Sequence, residues 1–265
     1  MDTIHLLGYA GALVVGLVLG LIGGGGSILT VPLLVYLLSY NPITATAYSL
    51  FVVGFTSLVG TFQKHKKGLV DFKTGLAFSF PSFMAVYLSR RYLVPNIPDI
   101  LLQSEDFELT KEMVIMVFFA IIMLLASYSM IKNKKKTNTP EKKQHYSKTF
   151  VQGLIIGTIT GIIGAGGGFL YVPALVLWAN IPMKKAVGTS LIIVSINSLI
   201  GFTGDIQTLQ IEWGFLLLFT LMSILGILIG VFLSKFISSK KLKKGFGFFT
   251  LIMAIYIIYK ELYIS

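Results

Sequence analysis

The sequence predicts an all-α polytopic membrane protein made of two inverted-topology repeats, each of about five apolar segments including a short half-helix after a glycine-rich break. Three observations carry this prediction: long runs without charge, a duplication within the chain, and opposite charge on equivalent loops of the two copies.

Only 12% of the 265 residues are charged and 55% are hydrophobic, whereas about a quarter of a soluble domain is charged. Mean hydropathy is +0.82. Thr3 to Gln63 contain no Lys, Arg, Asp or Glu, and further charge-free runs cover 113–131, 149–183, 186–204 and 213–234. A helical span needs about 20 apolar residues. The first apolar run has no basic flank and leads directly into glycines, so a cleaved leader is not expected. The net charge of +11 comes from short basic runs between apolar segments, such as "KNKKKTNTPEKKQHYSK" (132–148). Such runs suit cytoplasmic loops facing anionic lipid headgroups rather than a nucleic-acid surface. Cysteine is absent, which excludes disulfides and thiolate metal ligands.

In the first copy the apolar segments run about 4–22, 27–40, 43–62, 74–93 and 112–131. The second is short, because 14 residues rise only about 21 Å as a helix against about 30 Å of hydrocarbon. Either the first two segments form a re-entrant hairpin folded at the glycines, or all three leading segments cross with distortion. Both alternatives give an odd number of crossings before residue 64.

The duplication is direct. "GLIGGGGSILTVPLLV" (20–35) and "GIIGAGGGFLYVPALV" (161–176) match at 10 of 16 positions at an offset of 141. The same offset aligns 45–60 with 186–201, and after an indel "AVYLSRRYL" (85–93) answers "GVFLSKFIS" (230–238). The organisation expected is a first transmembrane repeat at 1–131, a basic cytoplasmic linker at 132–149 and a second repeat at 150–265.

Loop charge gives the relation between the copies. Residues 63–73 hold four Lys and one Asp, while their counterpart 203–212 holds Asp205 and Glu212 and no base. Residues 94–112 hold five acids and one Lys; their counterpart 235–244 holds five Lys and no acid. By the positive-inside rule, equivalent loops then lie on opposite sides of the membrane, as in the inverted repeats of many secondary transporters. With both termini outside, the inner loops take 18 of the 22 basic residues. Arg90 and Arg91 are exceptions near the outer end of their span, expected to snorkel or to line an anion entrance. Asp205 and Asp71 are expected to be loop or cap residues.

Non-helical backbone at membrane depth is tolerated only where it is buried in protein or lines a polar cavity. The breaks at Gly23, Gly24, Gly25 and Gly26 and at Gly164, Gly166, Gly167 and Gly168 are therefore expected to face inward, near the pseudo-twofold axis. Each precedes a helix, starting at Ser27 or Phe169, whose free N–H groups favour an anion. Gly16/Gly20 and Gly157/Gly161 instead fit the small-xxx-small packing pattern. Pro32 and Pro173 are expected to kink or shorten their helices. Hydroxyls and amides of the following segments are the ligand candidates: Ser49, Thr56 and Ser57 in one copy, with Thr189, Ser190, Asn197 and Ser198 in the other. The symmetry pairs Ser49/Ser190 and Ser57/Ser198 are favoured.

His5, His65 and His145 form no i, i+4 metal pair, and no nucleophile, base and orienter set or hydrolase motif is present, so no enzyme activity, metal or cofactor is expected. The glycine run also lacks the residues of the soluble phosphate loops.

The duplicated "GLIGGGGSILTVPLLV" and "GIIGAGGGFLYVPALV", each followed by a Pro and then a Ser-Leu segment, resemble the sulfite exporter TauE/SafE family, also called the 4-toluene sulfonate uptake permease family. The resemblance covers nearly the whole chain. It implies a cell-membrane transporter of small sulfur-containing anions such as sulfite, sulfonates, sulfoacetate or thiosulfate, and points to Gly23–Gly26 with Pro32 and to Gly164, Gly166–Gly168 with Pro173. Protons are a candidate coupling ion. An anion channel is the nearer alternative, and a membrane scaffold or intramembrane enzyme the more distant one.

Overall fold

In hydrocarbon a chain must satisfy its backbone internally, and the apolar runs accordingly become ten helices in the computed structural model, which describes residues 3–24, 27–104, 107–132, 146–164, 166–177, 179, 181–206 and 209–263. The first five are α1 (Thr3–Ile22), α2 (Ser27–Pro32), α3 (Pro42–Lys66), α4 (Phe72–Leu88) and α5 (Lys111–Ile131). The second five are α6 (Tyr146–Ile163), α7 (Gly168–Leu177), α8 (Met183–Asp205), α9 (Trp213–Leu233) and α10 (Ser239–Tyr263). Among the described residues four helices, α3, α5, α8 and α9, are long and apolar enough to cross a membrane, alongside shorter apolar helices. The chain is an all-α membrane protein.

Most of the basic linker, residues 133–145, lies outside the described residues, and Tyr146–Thr149 already belong to α6. Between α4 and α5 the acidic loop carries a small antiparallel hairpin, β1 (Ile100–Ser104) and β2 (Phe107–Thr110), that apolar periodicity did not predict.

Helix packing exchanges the two halves. α1 packs on α9 as α4 packs on α6, counting α6 as the counterpart of α1. α3 meets α9 as α8 meets α4, while α3 with α8, α5 with α10 and α2 with α7 pair with their own counterparts. The same set of contacts thus recurs with the two halves exchanged. The contacts also give the relative direction of the central pair. Along α3 and α8, Leu50 packs on Gly201, Leu199 on Gly54, Leu191 on Gly60 and Lys64 on Gly188, so the two equivalent helices run antiparallel. α3 and α8 are also the innermost pair, with 72% of each apolar window buried against 44% for α9. On α9, Leu217, Leu221, Leu225 and Ile229 form an outward apolar stripe at helical spacing.

Small residues let the flanking helices approach. A Cβ on Gly16 would lie 1.8 Å from the Ser223 carbonyl oxygen, and one on Gly230 would lie 2.2 Å from that of Leu17. Gly157 presses likewise on Ser82, and Gly161 on Ser89 and Val86. These are close-packed backbone seams of the small-xxx-small type.

α1 runs from one end of the bundle, where Tyr9 packs on Phe215, to the other, where Leu21 shares a cavity with Lys64. The chain then returns through α2 to Tyr40, which hydrogen-bonds Glu212 back at the first end. Leu33 packs on Gly11 and Leu38 on Gly8 along the way. The three leading segments thus each pass between the ends, the middle one broken.

Pro32 ends α2 after six residues, and a π turn, Leu33–Leu37, follows. Proline lacks the N–H for the i−4 bond, and a π turn takes up the misfit by widening the helix. Leu38 N–H donates to Leu33 O at 3.2 Å and Tyr40 N–H to Leu34 O at 3.0 Å. The second copy repeats this at the same offset, with Ala179 to Ala174 O at 3.4 Å and Ile181 to Leu175 O at 3.1 Å. There Pro173 sits inside a continuous α7 of ten residues. Pro32 thus stands at the end of its helix and Pro173 in the middle of α7.

The bundle has a basic end and an acidic end. Lys64 in the last turn of α3, Lys67 just after it, Lys184 in the first turn of α8 and Lys235 after α9 converge on one cavity. At the opposite end Asn41 hydrogen-bonds Glu112, and Tyr40 and Tyr48 engage Glu212. Burial and the Glu212 carboxylate push the Tyr40 phenol above its ordinary range. Caps fix the helix starts: the Asn41 side chain accepts from Ile43 N–H, Asp71 from Thr74 N–H and Thr110 from Met113 N–H. Asp71 is a cap, as the sequence predicts.

Candidate functional site: the glycine crossing

The two glycine breaks meet. A Cβ on Gly24 would lie 2.1 Å from Gly168 Cα, and one on Gly168 would lie 2.0 Å from Gly24 Cα, so backbone touches backbone where only glycine fits. The turns into the crossing need left-handed backbone: φ is +81° at Gly23, +68° at Gly164, +66° at Gly166 and +67° at Gly167. A side chain there costs about 1–2 kcal/mol per residue. Gly25 and Gly26 lie outside the described residues, as does the side chain of Ser27, whose backbone opens α2.

Each copy turns one serine stripe toward the breaks. Ser49, Val53 and Ser57 recur every four residues on α3, and Ser190, Val194 and Ser198 do the same on α8, which places each trio on one helix face. Val194 packs on Gly24 and on Gly166, and Val53 packs on Gly166. Ser190 Oγ accepts from Gly24 N–H at 3.3 Å and donates to Val187 O at 2.9 Å. Ser198 Oγ is the nearest atom that a Cβ on Gly166 would meet. The hydroxyls of Ser49, Thr56, Ser57 and Ser198 and the Asn197 side-chain oxygen are buried with no hydrogen-bond partner among the described residues. Thr189 is committed elsewhere, accepting from Asp71 N–H at 2.9 Å.

Asn197 anchors a buried polar cluster that includes two residues not foreseen in the sequence. Its Nδ2 donates to Ser82 Oγ at 2.9 Å and to Tyr171 Oη at 2.6 Å, and Ser82 and Tyr171 also hydrogen-bond each other. The cluster joins α4, α7 and α8. Tyr171 also packs beside Gly167, whose Cβ would lie 2.0 Å from Thr160.

Arg90 neither snorkels nor lines an entrance. Its side chain is 0% exposed, with Nη2 2.7 Å from Asp205 Oδ2 and Nε donating to the carboxylate oxygens at 3.0 and 2.8 Å. Nη1 donates to Thr46 Oγ1 at 3.1 Å, and Thr46 packs on Gly164. Asp205 is accordingly half of a buried ion pair rather than a simple loop or cap residue. The physical reason is the π turn Ser89–Leu93 after α4, which carries Arg90, together with Gly204, which lets α8 approach Arg90 Cβ. A buried charge pair thus joins the two halves beside Gly164.

Comparison with known proteins covers most of the chain. Curated relatives include a "Probable membrane transporter protein" of Xylella fastidiosa (strain 9a5c), 28% identical over 256 residues, 93% of this chain and 92% of the relative. Another is "Probable membrane transporter protein YunE" of Bacillus subtilis (strain 168), 30% identical over 230 residues, 76% of this chain and 78% of the relative. A third, from Haemophilus influenzae, is 25% identical across 96% of this chain and 98% of its own length. No solved structure gives a significant match. The family described as "Sulfite exporter TauE/SafE" matches residues 8–257, both glycine breaks and both antiparallel core helices included. The chain belongs to the sulfite exporter TauE/SafE family.

Proposed function

We propose that the chain is a secondary transporter of small sulfur-containing anions that exposes the glycine crossing alternately to the two sides of the membrane. The observation that carries this reading is the backbone contact of Gly24 with Gly168, where two symmetry-related breaks meet beside buried, uncommitted hydroxyls. Exposed N–H groups and hydroxyls can bind an oxoanion without a cation. In this reading Gly23–Gly26, Ser27, Ser49, Ser57, Gly164, Gly166–Gly168, Ser190, Asn197 and Ser198 bind the anion. The reversed direction of α3 and α8 and the gathering of basic loops at one end support inverted repeats at 1–131 and 150–265. The basic end and the 132–149 linker then face the cytoplasm, and both termini face outside. Broken helices that meet near the bilayer midplane are the places where such bundles rock. Sulfur chemistry enters from the family's description.

Uptake into proteoliposomes tests the reading. Sulfite, thiosulfate and sulfoacetate are compared with sulfate and chloride, with and without a pH gradient. Saturable uptake of at least one sulfur oxoanion, driven by its own gradient or by protons, is the expected result. Flux that never saturates would make the protein a channel, and absence of uptake for the whole sulfur panel would overturn the substrate class.

A further inference from the structure

The ion pair at the acidic end has a symmetry mate. The offset of 141 that relates the copies carries Asp205 onto Lys64, and the alignment of 85–93 with 230–238 carries Arg90 onto Lys235. The surroundings correspond as well. Thr46 packs on Gly164 at one end, and its counterpart Val187 packs on Gly23 at the other. At the acidic end the pair is guanidinium and carboxylate in direct contact; at the basic end both partners are ammonium groups.

Those two lysines line a cavity of about 190 Å³ with Lys67, Lys184 and Ser234, and among the described residues no carboxylate lines it. Lys64 is 3% exposed, and its Nζ donates to Ser234 Oγ at 2.8 Å. That hydroxyl in turn donates to Val231 O, so the contact supplies no countercharge. Lys67 Nζ reaches the Val231 carbonyl. Burial and the charge of Lys235 push the Lys67 ammonium below its usual pKa. Asp71 lies near the same loops but pairs with Lys185, which is outside the cavity lining. Of these lysines Lys64 is buried while Lys67, Lys184 and Lys235 keep contact with solvent; a charge removed from water needs a partner of opposite sign, and among the described residues no carboxylate lines the cavity beside it.

We propose that a divalent oxoanion binds in this lysine cavity, bridging Lys64 and Lys235 where the Asp205 carboxylate bridges to Arg90 at the opposite end. The anion completes at the basic end the closure that the protein makes for itself at the acidic end. Val187 lines this cavity and also packs on Gly23, so one residue stands between the site and the crossing. The cavity holds a four-oxygen anion with a few waters, each needing about 30 Å³. The proposal rests on the anion reading above only for the sign of the cargo; a binding measurement at this cavity is separate from flux.

The chain has no cysteine, so Leu69→Cys, on the cavity wall, reports occupancy by its rate of alkylation with a maleimide in the purified full chain. Sodium sulfate is the probe, with sodium chloride at equal ionic strength as reference. Sulfate at about ten times its Kd should slow labelling about tenfold. Lys64→Met and Lys235→Met should each abolish that protection. Lys64→Asp, which recreates a carboxylate facing Lys235, should slow labelling without sulfate and leave no further sulfate effect. Gly168→Val should keep sulfate protection even where flux is lost, which separates this site from the crossing. Equal protection by chloride, or full sulfate protection in Lys64→Met and Lys235→Met, would overturn the proposal.

Discussion

Replacing Gly168 by valine should reduce anion flux per folded molecule by about 30- to 160-fold. The added Cβ would sit 2.0 Å from Gly24 Cα, and backbone on both sides leaves no flexible side chain to yield. Overpacking of this kind costs about 2–3 kcal/mol. If that cost falls on the conformation in which the breaks touch, each 1.36 kcal/mol is about tenfold in rate. Gly24→Val should behave the same way, because its Cβ meets Gly168 at 2.1 Å. Gly214→Ala is the control: nothing lies within 4 Å of a Cβ there, and it should leave flux unchanged. Flux normalised to the monodisperse fraction in size-exclusion chromatography separates transport from folding. Undiminished flux in Gly168→Val would mean that the crossing does not need close backbone contact.

The second large effect concerns stability. Asp205→Leu should destabilise the protein by about 3–5 kcal/mol, because it leaves a guanidinium buried without its countercharge. Arg90 is fully enclosed, and Asp205 accepts from both Nε and Nη2, so water offers little compensation. Arg90→Met should cost a similar amount by stranding the carboxylate. The double variant Arg90→Met/Asp205→Leu should recover most of the loss, since a well-packed apolar pair often replaces a buried ion pair at little cost. Thermal unfolding of the four proteins in one detergent measures this cycle. Additive losses in the double variant would show that the two groups act independently.

The helices were legible because lipid demands apolar length. Segments expected at 43–62 and 112–131 appear as Pro42–Lys66 and Lys111–Ile131. The packing role of Gly16, Gly20, Gly157 and Gly161 could be read from their spacing. Contacts between the halves were less legible, since no local pattern announces a partner more than 100 residues away. Arg90 and Asp205 are separated by 115 positions. Their trace was a contradiction: Arg90 broke the positive-inside pattern, as a charge does when a protein partner rather than a headgroup neutralises it. Tyr171 and Ser82 left no such trace, being an aromatic and a small residue in apolar helices. The lysines were read as surface charge, which describes their number but not their convergence. The two prolines differ in place: Pro32 is the last residue of the six-residue α2 and gives way to a π turn, whereas Pro173 lies within α7.

In the proposed transport cycle, inversion of the repeats makes the glycine crossing reachable from both sides, and accessibility of equivalent loops tests it most directly. Single cysteines at Gly68, in the basic loop after α3, and at Gln210, in the corresponding loop after α8, sit at opposite ends of the bundle. Intact cells are exposed to a membrane-impermeant maleimide before and after permeabilisation. Gln210→Cys should label from outside and Gly68→Cys only after permeabilisation; labelling of both from the same side would contradict inverted repeats and the alternating site built on them.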